Sequence, residues 1–218
     1  MKGINSKNIV NIPIFDDNIK NIKDKFVQGR VKLYKNNKLI EDTTNLVVYM
    51  GRKFAAQNTF KTANGADVDF TSYSITHFAI GNGGTETDNL TSVVGPEDTD
   101  TTLYKAISLN TSDTTNYLPL EDKTGTVVSG ALKKITLDGS IEFVKDTTTN
   151  DYTTVKCRLV IDPTSHDISL PDTFLVSEAG LFFTDGGKSV KGMFAHVCFP
   201  GKYLTKNDIL TIEWYFLF

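Results

Sequence analysis

The sequence predicts a mainly β protein: an antiparallel β-sandwich of the jelly-roll or Greek-key type, with one packed α-helix and an extended N-terminal arm. Three observations lead to this prediction. Strand-like runs separated by Thr-, Asp-, Asn- and Gly-rich loops fill the chain after residue 62. One earlier segment has helical spacing instead, and the first 25 residues follow neither pattern. With 218 residues, of which 39% are hydrophobic, the chain can bury a core in a single domain over residues 26–218.

Residues 1–25 form the predicted arm. They are rich in Asn, Lys, Asp and Ile, and Pro13 interrupts any helix across them. Since so short a segment has too little apolar surface to fold alone, we expect it to lie on the domain or on a neighbouring subunit. The arm residues predicted to make this assembly contact are Ile9, Ile12, Ile14 and Phe15.

A β-hairpin is predicted over residues 26–42. Val31 and Leu33 alternate with basic residues at the period of two that is typical of a strand. Asn36-Asn37 follows, and asparagine tolerates the positive φ that a tight hairpin turn requires. The return strand then begins at Leu39.

The segment 44–61 has helical spacing, and the helix is predicted near residues 45–60. Thr44 or Asn45 is suited to cap its N-terminus. We expect Gly51, inside the helix, to mark a close approach to a strand. The apolar stripe that indicates helical spacing consists of Leu46, Met50 and Phe54.

The rest of the chain is predicted to be strands and loops. Two of the loops, residues 83–101 and 110–125, are long for a compact domain, and long loops are often functional or ordered by a partner. The predicted strands are residues 74–80, 102–109, 126–137, 140–146, 153–161, 174–183, 191–199 and 208–217.

The chain ends in an apolar strand, 208-DILTIEWYFLF-218. So apolar a segment is expected in the core or in a subunit interface rather than as a frayed tail. Its alternate residues on one face are Leu210, Ile212, Trp214, Phe216 and Phe218. Of these, Trp214, Phe216 and Phe218 are assigned to assembly together with the arm residues.

The glycine-rich stretch 79-AIGNGGTETDN-89 raises the possibility of a phosphate-binding loop. A dinucleotide fingerprint requires a third glycine where Glu86 stands, and a P-loop requires a lysine after the glycines. Both signatures are absent from the stretch. We therefore interpret Gly81, Gly83 and Gly84 as a loop after a strand, and no cofactor is predicted.

Acidic residues crowd the loop that follows. A calcium site would need the ordered carboxylates of a D-x-[DN]-x-[DN]-G loop, and that order does not occur. A solvated acidic loop is the favoured interpretation over a bound cation, and no metal is predicted. The acids concerned are Glu86, Asp88, Glu97, Asp98 and Asp100.

The chain has two cysteines, Cys157 and Cys198, both in apolar strand-like runs that favour buried thiols over a disulfide. His196 and Cys198 share a strand face, so a dyad completed by Glu178 is a conceivable nucleophilic site. Reactive cysteines usually lie at exposed, electropositive points, and a mid-strand position is unsuited to that. No catalytic residue is predicted, and the chain is not expected to be an enzyme.

The net charge of −3 and the lack of a clustered basic face argue against nucleic-acid binding. No run approaches 18 apolar residues, so no membrane span is predicted.

Five segments in order resemble a family of tailed-bacteriophage virion proteins. Their sequences are HFAIGNGGT (77–85), LYKAISL (103–109), VSEAGLFFTDGG (176–187), MFAHVCFPGKYLTK (193–206) and NDILTIEWYFLF (207–218). The resemblance covers residues 26–218 and leaves the arm outside. One departure is His196, where that family often has arginine.

The resemblance implies a structural role in the phage particle, without enzyme activity, in a tail, baseplate, neck or fibre-attachment position. The expected partners are other virion proteins, the expected state is a homo-oligomer, and the expected location is the virion, assembled in the host cytoplasm. Apart from the resemblance, Glu178-Ala179-Gly180 predicts a strand bend, where Gly180 allows close approach and Glu178 accepts backbone N–H bonds. The alternatives are a capsid decoration protein, or a receptor- or glycan-binding module using Tyr117, Tyr152 or Tyr203.

Overall fold

A computed structural model describes residues 28–60, 73–108, 118–119, 142–144, 154–162, 170–184 and 190–217. The prediction of a mainly β, antiparallel fold with one helix is confirmed. Outside the described residues lie the arm, with Ile9, Ile12, Ile14 and Phe15, the predicted strand 126–137, and Phe218.

The described elements are eleven strands and one helix. In chain order they are β1 (Gln28–Lys35), β2 (Lys38–Val47), α1 (Tyr49–Phe60), β3 (Ser74–Gly81), β4 (Thr85–Glu86), β5 (Asn89–Val93), β6 (Leu118–Pro119), β7 (Glu142–Val144), β8 (Thr154–Ile161), β9 (Thr173–Thr184), β10 (Val190–Thr205) and β11 (Leu210–Leu217).

Nine strands form one antiparallel sheet in the order β6-β3-β9-β10-β2-β1-β11-β8-β7. Strand β2 joins its two halves: most of β2 pairs with β1, and its last two residues, Leu46 and Val47, pair with β10. The sheet curls about β2 into a half-barrel. The loop predicted over residues 83–101 contains a short hairpin, β4–β5, because Thr85 and Glu86 pair back onto Val93 and Asn89.

The core lies inside the curl, where the halves face each other as the layers of a sandwich do. Phe194 on β10 and Phe216 on β11 are three strands apart in the sheet, yet their ring centroids are 5.3 Å apart. One cluster of buried apolar residues includes Leu33, Leu159 and Trp214 of one half and Phe78, Leu181 and Phe199 of the other. Each large side chain fully buried in this way contributes about 1.5–3 kcal/mol relative to exposure.

The C-terminal strand β11 lies between β1 and β8, near the middle of one half. The face predicted to be apolar is buried, since Leu210, Ile212, Trp214 and Phe216 are each at most 4% exposed. Of the two positions expected for this strand, core or interface, Trp214 and Phe216 occupy the core of their own chain.

The hairpin turn predicted at Asn36-Asn37 is confirmed. Both residues have positive φ, 49° and 65°, which is the left-handed conformation asparagine tolerates. The Asn36 side chain also bonds the neighbouring loop, donating to Asp208 at 2.8 Å and accepting from the Ile209 N–H at 2.8 Å. The turn is thereby tied to the start of β11.

The helix begins later than predicted. Thr44, Asn45 and Leu46 continue β2, so the predicted caps are strand residues and α1 starts at Tyr49. Leu46 and Val47 pair with His196 and Ala195 of β10, and this tertiary pairing outweighs the local helical spacing.

The close approach predicted at Gly51 is confirmed. A β-carbon at this position would meet the backbone of Phe194 in β10, so only glycine fits. Farther along α1, Phe54 stacks on Phe183 with ring centroids 5.2 Å apart. Within the described residues, no helix is long and apolar enough to cross a membrane.

Candidate functional site

Glu178 of β9 and His196 and Cys198 of β10 form a buried polar cluster beside the end of β3, where Gly81 pairs with Glu178. Cys198 pairs with Glu178 across the two strands, and His196 precedes Cys198 by two residues. Cross-strand partners and residues two apart share a sheet face, so the three side chains converge. His196 Nε2 lies 3.0 Å from Glu178 Oε2 and 3.6 Å from Cys198 Sγ.

The Glu178 carboxylate binds backbone amides from two loops. Oε1 accepts from Gly83 N–H at 2.9 Å and from Lys105 N–H at 2.8 Å, and Oε2 accepts from Tyr104 N–H at 2.9 Å. The side chain itself is 0% exposed. The expectation that Glu178 accepts backbone N–H bonds is confirmed, and these bonds hold two loops against β9.

The glycines of the AIGNGG stretch are explained by this carboxylate. A β-carbon on Gly81 would collide with Glu178 Oε1, and one on Gly83 would lie 2.7 Å from the Lys105 backbone nitrogen. At Gly84 it would collide with the Ser177 carbonyl of β9. The loop amides that would hold a phosphate in a nucleotide-binding protein here hold a side chain of the same chain. The interpretation as a loop after a strand fits this geometry.

The segment predicted as a strand over 102–109 is irregular through residue 108, so that prediction is wrong for the described part. Its one strand-like contact is an isolated bridge between Ala106 and Gly81. The amides of Tyr104 and Lys105 bond the Glu178 carboxylate instead of a neighbouring strand. A buried anion thus replaces the strand ladder as the partner of this backbone.

His196 lies between two carboxylates. Its Nδ1 is 2.7 Å from Asp100 Oδ2, and its Nε2 is 3.0 Å from Glu178 Oε2. An ionised carboxylate only accepts hydrogen bonds, so both contacts are hydrogen bonds when both ring nitrogens carry protons. In that state the ring is an imidazolium that places one positive charge between two negative charges.

Asp100 is the member of the cluster that the sequence did not indicate. In the sequence Asp100 is one of several acids in the same loop, and it lies 96 residues before His196. Of the same loop, Asp98 pairs with Arg52 of α1 at 2.7 Å, while Glu86 and Asp88 are exposed on the β4–β5 hairpin. The acids therefore diverge instead of converging on a calcium ion.

Burial and contacts within the cluster shift the pKa values of Glu178 and Cys198. Burial raises the pKa of Glu178, but the bonds from His196 and from the amides of Lys105, Tyr104 and Gly83 lower it by more, so it lies below its usual value. Burial, with the charges of Glu178 and Asp100, raises the pKa of the Cys198 thiol to about 12. The carboxylate is therefore ionised and the thiol protonated at neutral pH.

A Cys198–His196–Asp100 arrangement has the connectivity of a nucleophilic triad, but its environment differs from that of known reactive thiols. Cys198 is 6% exposed, His196 is 0% exposed, and the Tyr104 ring lies edge-on to His196 with centroids 5.0 Å apart. Activation needs a lowered thiol pKa and access for a substrate. The amides suited to an oxyanion are bonded to Glu178.

The chemistry available to the cluster is therefore structural or metal-binding. Glu178, His196 and Cys198 offer ligand atoms of three types within 4.8 Å of one another. Cys157, the other cysteine, is buried and free, as Cys198 is, which confirms the expectation of two buried thiols.

Comparisons with protein-family models, with curated proteins and with solved structures found no match to this chain.

Proposed function

We propose that this chain is a non-enzymatic structural component of a tailed-bacteriophage particle, in a tail, baseplate, neck or fibre-attachment position. In this proposal it resides in the virion after assembly in the host cytoplasm, forms a homo-oligomer, and binds other virion proteins. The proposal rests on the resemblance of five ordered segments and on what the fold does with them.

The observation that supports the proposal most is that the segments resembling the phage family are joined to one another by hydrogen bonds. Glu178, from the EAGLF segment on β9, accepts the Gly83 amide of the AIGNGG loop and the amides of Tyr104 and Lys105 in the LYKAISL segment. His196, from the segment on β10, bonds the same carboxylate. These residues build one structural unit. Their occurrence together in the resembling segments therefore favours an architecture shared with that family.

The burial of the cluster supports the non-enzymatic part of the proposal. A hydrolase would need the thiol ionised and the ring open to substrate, whereas here the ring contacts two carboxylates and an aromatic edge. The same contacts are well suited to fixing long loops on a rigid sheet. Loops fixed in this way can present a constant surface to a partner.

The proposal is tested by assembly of the full chain. We would measure solution mass by light scattering for the wild type and for a variant with Ile9, Ile12, Ile14 and Phe15 all changed to serine. We expect a defined oligomer for the wild type and a smaller species for the variant, with matching circular dichroism spectra. As a second readout, immobilised protein should capture virion proteins from disrupted phage particles.

A stable monomer that captures no virion protein would contradict the proposal. If the variant assembles as the wild type does, the arm is not needed for assembly. The capture assay then decides the virion role by itself.

A second candidate function is a receptor- or glycan-binding module. The observation in its favour is Tyr203 on β10, whose side chain is 61% exposed and so available to stack on a sugar ring. Tyr117 and Tyr152, the other aromatic residues considered for this role, lie outside the described residues. Glycan-array binding that is lost in Tyr203→Ala and kept in Tyr49→Ala, also exposed at 56%, would favour this function.

A further inference from the structure

We propose that Glu178, His196 and Cys198 form a structural zinc site, with Asp100 as the positioning residue for His196. The three ligand atoms, a carboxylate oxygen, a ring nitrogen and Sγ, lie within 4.8 Å of one another. The proposal goes beyond the virion role and does not depend on it.

The spacing of the ligand atoms fits a tetrahedral ion. Zinc bonds of about 2.0 Å to nitrogen and about 2.3 Å to sulfur place those two ligands roughly 3.5–3.6 Å apart at a tetrahedral angle. The separation of His196 Nε2 and Cys198 Sγ is 3.6 Å. Nitrogen and oxygen ligands of zinc lie roughly 3.3 Å apart, and Nε2 and Oε2 are 3.0 Å apart. Binding therefore needs only a small opening of the Glu178–His196 contact.

The outer contact of His196 also matches a metal ligand. Histidines that bind metal commonly donate their other ring N–H to a carboxylate, which orients the ring and raises its basicity. Asp100 Oδ2 is 2.7 Å from His196 Nδ1 and accepts this bond. The hydrogen bonds that hold the loops use Glu178, His196 and Asp100, and Cys198 Sγ contacts His196 Nε2 at 3.6 Å. Zinc coordination uses all four residues.

The mixture of donors selects the ion. Calcium and magnesium prefer oxygen ligands, whereas a set of one thiolate, one imidazole and one carboxylate in tetrahedral spacing suits zinc. Because Glu178 Oε1 already accepts two amide bonds, a water would complete four-coordination.

Binding must free the ligand atoms of their protons. The Cys198 thiol releases its Sγ proton to solvent, and the His196 ring binds through an Nε2 that carries no proton. Glu178 and the resulting thiolate then place two negative charges on the doubly charged ion.

The first experiment refolds the full chain from denaturant, because a buried site is filled as the chain folds. Refolding with equimolar zinc followed by dialysis should leave one zinc per chain by mass spectrometry, and EDTA present during refolding should prevent it. Refolding with Co²⁺ should produce a sulfur-to-cobalt charge-transfer band in the near ultraviolet and intense tetrahedral visible bands.

The two cysteines provide a matched pair of variants. Cys198→Ser should abolish the charge-transfer band and lower the zinc affinity at least about 100-fold, while Cys157→Ser, which changes the other buried thiol, should leave both unchanged. Asp100→Asn keeps all three ligands but weakens the outer carboxylate, and should lower the affinity about 10–100-fold with the band retained.

Wild-type protein that refolds with neither zinc nor the cobalt band overturns the proposal. So does a band that survives Cys198→Ser or disappears with Cys157→Ser. If Cys198→Ser does not fold, the wild-type metal content and cobalt spectrum decide the question.

Discussion

Two glutamates on the two halves of the sheet are held by different kinds of partner. Glu178 on β9 is fully buried and bonds backbone amides and His196. Glu213 on β11 lies 3.0 Å from Lys156 and 3.7 Å from Arg158, both on the adjacent strand β8, and accepts from the Tyr215 hydroxyl at 2.7 Å. Burial raises the pKa of each, and the hydrogen bonds lower it by more, so both lie below their usual value.

The difference lies in what remains when the carboxylate is removed. The partners of Glu213 are half-buried side chains that can turn toward water. The partners of Glu178 are backbone amides and a buried ring that cannot move without moving their loops. A pKa lowered in the same direction at both glutamates therefore corresponds to unequal structural consequences.

The largest expected effect comes from Glu178→Gln. Glutamine keeps one acceptor oxygen but places an NH2 donor against N–H donors and removes a buried charge that three amides and His196 bond, so we expect a loss of about 3–5 kcal/mol in the free energy of unfolding. Urea unfolding in EDTA measures this without any contribution from metal. Hydrogen exchange should also quicken at the amides of Gly83, Tyr104 and Lys105. A loss below about 1 kcal/mol would mean that the amides find other partners.

Lowering the pH should gradually remove the contribution of Glu178 to the free energy of unfolding. The pKa of Glu178 is lowered from 4.5 in the folded chain. Its stabilising contribution is therefore complete above the unfolded pKa and is lost as pH falls through the folded pKa. We expect wild-type stability to fall more steeply below pH 4.5 than that of Glu178→Gln. Parallel pH curves for the two proteins would contradict the assignment, because all other carboxylates are common to both.

Glu213→Gln should have a smaller effect. Glu213 is 9% exposed, but its partners Lys156 and Arg158 are 23% and 30% exposed, so water and salt reach the ion pairs from the partners' side, and we expect a loss of about 1 kcal/mol. Urea unfolding at low and high salt checks this, and the difference from wild type should shrink as salt is added. A loss equal to that of Glu178→Gln would remove the distinction between the two halves.

The smallest effect is expected for Asp172→Asn. Its partner Lys206 lies 2.6 Å away, but the two side chains are 86% and 56% exposed. An ion pair so exposed adds little to stability. The urea midpoint should match the wild type within error, and a clear shift would show that exposed pairs in this fold contribute more than expected.

The candidate site was only partly predictable. Period-two alternation placed His196 and Cys198 on one face, and the EAG motif indicated that Glu178 accepts amide bonds. No sequence pattern distinguished Asp100 from the other acids of its loop, because only the fold brings it to His196. The irregular path of residues 102–108 was also unpredictable, since the segment LYKAISL has strand composition and only a buried carboxylate diverts its amides.

By itself the sequence determined the features that depend on near neighbours. These are the antiparallel β class, the Asn36-Asn37 turn, the apolar face of β11 and the close approach at Gly51, because side-chain period and backbone tolerance act over a few residues. Tertiary structure alone decided where β2 ends and which groups meet at Glu178. Those outcomes depend on contacts between segments distant in sequence, such as Lys105 and Glu178, 73 residues apart, which meet only once β3 has paired with β9 and with the segment around Ala106.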